Sequence, residues 1–238
     1  MKKAIILGAS SGIGAELVGL LVADGYKVAI TGRREVLLKS ISASNPEKII
    51  YSVFDVRDTK DLESKLEDLR NKLGGCDLFI ISAGTGDINE DLDFETEKVI
   101  IDTNVSGFTC AADWAFRYFQ KEGYGHLAGI SSVAGIRGYR GAPAYNASKA
   151  YQISYLEGLS QKARKIKLPI IVTDLRPGFV NTKMAKGEGR FWVSSPEKAA
   201  SQIYIAIKRK KKVAYITKRW QLVGKLLRTL PSSIYERM

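Results

Sequence analysis

At 238 residues, 45% of them hydrophobic and 22 of them glycine, the chain has the size and apolar content of one α/β domain with an ample core, and leaves no room for a second. Two cysteines without metal-ligand spacing and a single histidine argue against a disulfide framework and a Cys/His metal centre; Cys76 and Cys110 read as reduced, buried thiols and His126 as a structural residue opening a strand. No run approaches the ~20 apolar residues of a membrane span, and a net charge of +12 points to anionic partners.

Met1-Lys2-Lys3 mimics the start of a signal peptide, but only four apolar residues precede Gly8. The segment therefore reads as a first strand, and the expected location is the cytoplasm, free or peripheral to a membrane. Gly8-Ala9-Ser10-Ser11-Gly12-Ile13-Gly14 follows this strand and precedes a helical stretch from Ala15 to Ala23. Strand, glycine turn and helix arrive in the order a dinucleotide site requires: Gly8 for the tight turn, Gly12 for backbone approach to a pyrophosphate, Gly14 for close packing of helix on strand. The G-x3-G-x-G spacing is neither G-x-G-x-x-G nor a Gly-Lys-Ser/Thr phosphate loop.

A second strand over 27–31 leads into Gly32-Arg33-Arg34, where an acidic residue would bind an unphosphorylated ribose. Two guanidiniums there suit a 2′-phosphate, so Arg33 and Arg34 predict NADP(H) rather than NAD(H). Further strands are expected over 48–53, 77–82, 126–131, 170–175 and 213–216, alternating with helices. That alternation predicts a single-domain Rossmann fold: a doubly wound parallel sheet of about seven strands covered by helices on both faces.

The run Tyr145-Asn146-Ala147-Ser148-Lys149 places a phenol and an ammonium four residues apart, on one helix face. A fixed cation beside a tyrosine favours the phenolate and makes proton transfer near neutrality feasible. Ser131-Ser132 ends the fifth strand, and alternation along a strand would aim the two hydroxyls differently.

Together these features resemble the short-chain dehydrogenase/reductase family. The likeness runs from Lys3 to about Thr182, with weaker support to Ile216, through Gly8-x3-Gly12-x-Gly14, Asp55-Val56, Ser82-Ala83-Gly84, Asn104-x2-Gly107, Ser131-Ser132, Tyr145-x3-Lys149 and Pro177-Gly178-x3-Thr182. It implies an NADP-dependent oxidoreductase interconverting a ketone or aldehyde with an alcohol. Tyr145 would be the acid/base, Ser132 would polarise the substrate oxygen, Lys149 would hold the nicotinamide ribose and tune Tyr145, and Asn104 would keep a water in the proton relay. Cofactor contacts are implied for Gly8, Ser10, Ser11, Gly12, Ile13, Gly14, Arg33, Arg34, Asp55, Val56, Ala83, Gly84, Asn104, Tyr145, Lys149, Pro177, Gly178, Val180 and Thr182, and a homodimer or homotetramer is expected. Ile81-Ser82-Ala83-Gly84 departs from the family's Asn-Asn-Ala-Gly but keeps its small residues. The alternatives are a catalytically silent NADP-sensing or scaffold protein, which needs no catalytic set, and a sugar-nucleotide epimerase or dehydratase, which needs a longer C-terminal region.

After Thr182 the chain restarts a helix at Ser194-Ser195-Pro196-Glu197, so the expected lid is small and the pocket open. Arg137, Arg140, Lys183, Lys186 and Arg190, with Phe191 and Trp192, suggest an anionic or lipid-linked substrate. Residues 1–217 are read as the cofactor domain including the substrate site, and 218–238 as its basic amphipathic extension. Residues 208–238 hold ten basic residues and one acid, nine of the twelve net positive charges. Trp220, Val223, Leu226, Leu227 and Leu230 recur there at helical spacing between Lys218, Arg219, Lys225 and Arg228. Two readings stand side by side: residues 218–230 rest on an anionic membrane, or they pack on the domain or a subunit partner. No nucleic-acid motif accompanies the charge, so no nucleic-acid partner is expected.

Overall fold

A computed structural model describes residues 1–182 and 191–236. Seven parallel strands form one sheet in the order β3-β2-β1-β4-β5-β6-β7: β1 Lys3–Leu7, β2 Lys27–Gly32, β3 Ile49–Val53, β4 Leu78–Ile81, β5 Gly125–Ile130, β6 Ile170–Pro177 and β7 Val213–Ile216. All seven expected strands are present, with ends that match or shift by no more than two residues. β6 runs on to Pro177, whose missing N–H is tolerated at a strand end.

Successive residues of each strand face opposite layers, and both layers are apolar. Ile5, Leu7, Phe79 and Ile81 pack under α3 (Thr59–Leu73), α5 (Phe108–Glu122) and α6 (Pro143–Ile166). Ala4, Ile6, Leu78 and Ile80 pack under α1 (Gly12–Ala23), α2 (Glu35–Ala43) and α7 (Pro196–Lys208). Helix ends follow their capping residues. Ser195 accepts from the Lys198 N–H with Pro196 in the first turn, and α3 and α5 close on left-handed Gly74 and Gly123.

Strand order reverses between β1 and β4, and a crevice opens beyond the carboxyl ends of those strands, where doubly wound folds take ligands. Three segments outside the regular layers shape it. Helix α4 (Phe94–Ile101) continues into a π-helical segment, Asp102–Gly107, before α5; a 3₁₀ turn, Val133–Ile136, follows β5; and α8 (Arg219–Thr229) and α9 (Ser232–Tyr235) follow β7. Among the described residues no helix is long and apolar enough to cross a membrane.

Candidate active site

The glycine turn is packed so tightly that side chains are excluded by backbone. Gly8 has φ +90°, and a Cβ on it would lie 2.4 Å from the Ala83 nitrogen; a Cβ on Gly14 would lie 2.2 Å from the Gly8 carbonyl. The N–H groups of Gly8 and Ala9 donate to the Thr31 carbonyl at 3.1 and 2.8 Å, tying the turn to β2. Gly12 has φ +59°, and Thr182 Cγ2 would stand 3.2 Å from a Cβ there, so Pro177-Gly178-x3-Thr182 closes over the glycine turn. Ser11 begins α1 without spending its side chain as a cap, and the half-buried Ile13 packs against the core.

The Arg34 guanidinium reaches back from the end of β2, donating to Ser10 Oγ at 2.7 and 3.1 Å and to Ser11 Oγ at 2.6 Å. Arg33, largely in solvent, lies 3.6 Å from Asp55, which accepts two side-chain hydrogen bonds from Arg57 at 2.7 and 2.9 Å. Burial raises the Asp55 carboxyl, but the Arg57 hydrogen bonds and the charges of Arg57 and Arg33 outweigh it, leaving the group below its ordinary value. Val56 is buried, and a Cβ on Gly107 would lie 2.6 Å from its carbonyl. Ser82 and Ala83 donate their N–H groups to the Leu7 carbonyl, and half-buried Gly84 leads to Thr85. The crevice thus has a cradle where any Cβ would intrude and a guanidinium beside two hydroxyls, which fits a dinucleotide.

Four residues from three separate stretches of the sequence come together at the other end of the crevice. Asn104, fully buried in the π-helical segment, uses its side chain to hold the loop after β4: Oδ1 accepts from the Thr85 N–H at 2.9 Å, and Nδ2 donates to the Thr85 carbonyl at 2.7 Å and to Ser148 Oγ at 3.0 Å. Ser132 starts the 3₁₀ turn, accepting from the Ala134 N–H at 3.0 Å, and lies beside the Tyr145 phenol. Ser131 turns the other way and donates to the Asp174 carboxylate, itself 2.6 Å from Arg176 in an ion pair whose two side chains are 5 and 6% exposed. The neighbouring hydroxyls therefore serve different groups.

Tyr145 stands in the first turn of α6, and its ring abuts the backbone of Gly86. That helix start is fixed by Glu97: Oε2 accepts from the Ala144 N–H at 3.0 Å, and Oε1 accepts from the Asn89 side chain at 2.7 Å. Burial pushes the Tyr145 phenol above its ordinary value, with the neighbouring Ser132 hydroxyl opposing. Lys149, 4% exposed, holds Nζ 5.9 Å from the centre of the Tyr145 ring and donates to the Ile130 carbonyl at 3.1 Å and to Gln152 Oε1 at 2.9 Å. Burial brings this ammonium down to about 8, with the Asp174 charge opposing.

The C-terminal extension meets the site from outside. A Cβ on Gly178 would lie 2.0 Å from the Trp220 indole, and Trp220 also contacts Phe179, Phe191 and Trp192, with ring centres 5.1 to 6.2 Å apart. Val180 is buried and bridges Ser194. Trp220 and Gly224 pack inward, while Leu222 (70% exposed) and Leu226 (61%) face solvent. Arg137 donates to the Leu230 carbonyl at 3.3 Å and stacks 4.5 Å from the Tyr235 ring centre, and Tyr235 donates to the Gly138 carbonyl. Arg137, expected to attract substrate, is engaged by this extension; Arg140 is exposed, and Lys183, Lys186 and Arg190 lie outside the described residues. The buried His126 shares a hydrogen bond with Thr173 at 2.8 Å, and burial with the nearby Lys210 charge brings its imidazole down to about 4. Cys76 and Cys110 are free thiols, the first buried and the second partly so.

Sequence reasoning missed Gly86, Thr85, Ser148 and Gln152. Only Gln152 carried a local signal, since it lies three residues after Lys149 on one helix.

The family model described as short chain dehydrogenase matches residues 2–191. An uncharacterized oxidoreductase of Mycobacterium tuberculosis is 30% identical over 245 aligned positions, 99% of this chain and 96% of that protein. A crystal structure of a short-chain dehydrogenase from Streptomyces avermitilis shares the fold with a TM-score of 0.84 at 23% identity, covering 99% of this chain and 94% of that one. A serine dehydrogenase solved in a closed form complexed with NADP+ gives 0.78 at 23% identity, covering 86% and 88%. With the seven-stranded parallel sheet and the extent of the family match, this chain belongs to the short-chain dehydrogenase family of oxidoreductases.

Proposed function

We propose that the protein is an NADP(H)-dependent reductase that interconverts a ketone or aldehyde with its alcohol. The observation carrying this reading is the meeting of Ser132, Tyr145, Lys149 and Asn104 at one end of a crevice whose other end is the glycine turn. NADPH, when bound, supplies the hydride that reduces a carbonyl carbon. Tyr145, kept neutral by burial, gives its phenolic proton to the substrate oxygen, and Ser132 lends a second hydrogen bond to the same oxygen, which is stronger as charge develops there. Lys149, protonated below about 8, favours the phenolate that Tyr145 becomes, while Asn104 holds the loop carrying Gly86 against the phenol.

Preference for the phosphorylated cofactor is supported by the absence of an acid at the end of β2 and by Arg34 beside Ser10 and Ser11. Serine dehydrogenase, of the same fold, was solved with NADP+. A panel of ketones, aldehydes and alcohols followed by nicotinamide absorbance with NADPH and NADH tests the reading. Turnover of a carbonyl with NADPH is expected; a panel without turnover, or one faster with NADH, overturns it.

A second reading concerns residues 218–230. Leu222 and Leu226 stand exposed on α8 among Lys218, Arg219 and Lys225, the pattern of a helix face resting on anionic headgroups. Co-sedimentation with phosphatidylserine vesicles, weakened by Leu222→Glu, is expected; indifference to such vesicles at moderate salt rejects this contact.

A further inference from the structure

Gln152 is fully buried, and both ends of its amide are in use: Oε1 accepts from Lys149 Nζ at 2.9 Å, and Nε2 donates to the main-chain carbonyl of Asn104 at 2.9 Å. We propose that Gln152 is a positioning residue for the reductase reaction, clamping Lys149 to the Asn104 carbonyl through its side-chain amide. The inference rests on the reductase reading for its functional meaning and on these contacts for its geometry.

Three local facts build the clamp. Gln152 follows Lys149 by three residues on α6, so both side chains leave the same helix face. The carbonyl it meets belongs to the π-helical segment Asp102–Gly107, an irregularity that departs from the α-helical ladder and recurs at functional sites. A buried amide with either end unpaired would be costly, and here neither is.

An amide neither gains nor loses a proton in the working range, so Gln152 fixes geometry and carries no charge. Of the three Nζ donors, one goes to the Ile130 carbonyl and one to Gln152, which leaves a third for a ribose hydroxyl. Lys149 is thereby held by neutral dipoles. The titratable groups facing it are Tyr145, on its own helix, and Asp174 from β6, whose carboxylate is paired with Arg176. This arrangement agrees with an ammonium lowered to about 8.

The test follows Lys149 directly in the cofactor-free protein. Protein labelled with 13C at lysine Cε is titrated by NMR, the Lys149 signal being the one missing from Lys149→Met. Gln152→Glu, nearly the same shape, sets a carboxylate against the ammonium and is expected to raise its titration by about one pH unit or more. Gln152→Met removes the acceptor and is expected to lower it further, with KM for NADPH rising and kcat falling roughly tenfold. A Lys149 titration unmoved in both variants overturns the clamp, and Gln152→Glu alone decides if Gln152→Met does not fold. If the titration moves while the wild type reduces nothing in the carbonyl panel, the clamp stands and the reductase reading falls.

Discussion

The backbone of Gly86 lies against the ring of Tyr145: a Cβ on the glycine would fall 2.5 Å from Cδ2 and 2.8 Å from Cε2. No side chain fits between them, so Gly86→Ala must move the phenol or the loop that Asn104 holds at Thr85. Turnover is expected to fall by about 10²-fold, since small displacements of a reacting group cost that much. NADPH binding, which we ascribe chiefly to the glycine turn and Arg34, is expected to fall far less than turnover. Steady-state kinetics beside a fluorescence titration of NADPH separate the two effects, and equal losses in both would indicate general damage instead.

Tyr145→Phe removes one oxygen and leaves the ring in place. Turnover is expected to drop by roughly 10²- to 10⁴-fold, the usual worth of a positioned acid, with NADPH affinity almost unchanged. A variant as fast as the wild type would remove Tyr145 from the chemistry.

Arg34 makes three hydrogen bonds to Ser10 and Ser11, which sets its guanidinium against the glycine turn. Arg34→Ala should weaken NADPH binding by roughly 10- to 100-fold, as for a lost charged hydrogen bond. NADH binding should change little. Comparing both cofactors by calorimetry checks this, and adding Arg33→Ala should widen the loss; equal weakening for both cofactors would place the arginines elsewhere than at a 2′-phosphate.

Lys149 titrates at about 8 in the folded protein, against an ordinary value of 10.5. Below pH 8 both folded and unfolded chains carry the charge, and its full burial cost stands. As pH climbs from about 8 toward 10.5 the folded chain releases the proton while the unfolded chain retains it, so the stability attributable to Lys149 rises. Lys149→Met lacks this dependence. Wild type should therefore gain on Lys149→Met across that window, by at most on the order of 3 kcal/mol. Urea unfolding of the two proteins at pH 7 and pH 10 reads the difference, and parallel pH dependences would mean that the buried ammonium titrates normally.

The sheet was legible because parallel strands buried on both faces are unbroken apolar runs between turn residues, as in Ala4 to Leu7 and Leu78 to Ile81. Tyr145 and Lys149, and the three glycines of the turn, were legible because their geometry is fixed by local spacing. What escaped detection is non-local. Gln152 reaches a carbonyl 48 positions away, and Gly178 lies under an indole from residue 220. No spacing rule joins such pairs. Charge misled for the same reason: Arg137 read as an entrance residue until Leu230 and Tyr235 were placed upon it.

Those contacts of Arg137, with the Tyr235 hydroxyl on Gly138 and the Trp220 indole on Gly178, mean that the segments after β7 hold the loops on either side of Ser132 and Tyr145. Residues 1–216 contain all seven strands of the sheet and all four polar groups of the site, but not this brace. The order of the loops at 137–138 and at Gly178 is thus set by residues that follow the last strand, and not by the sheet alone.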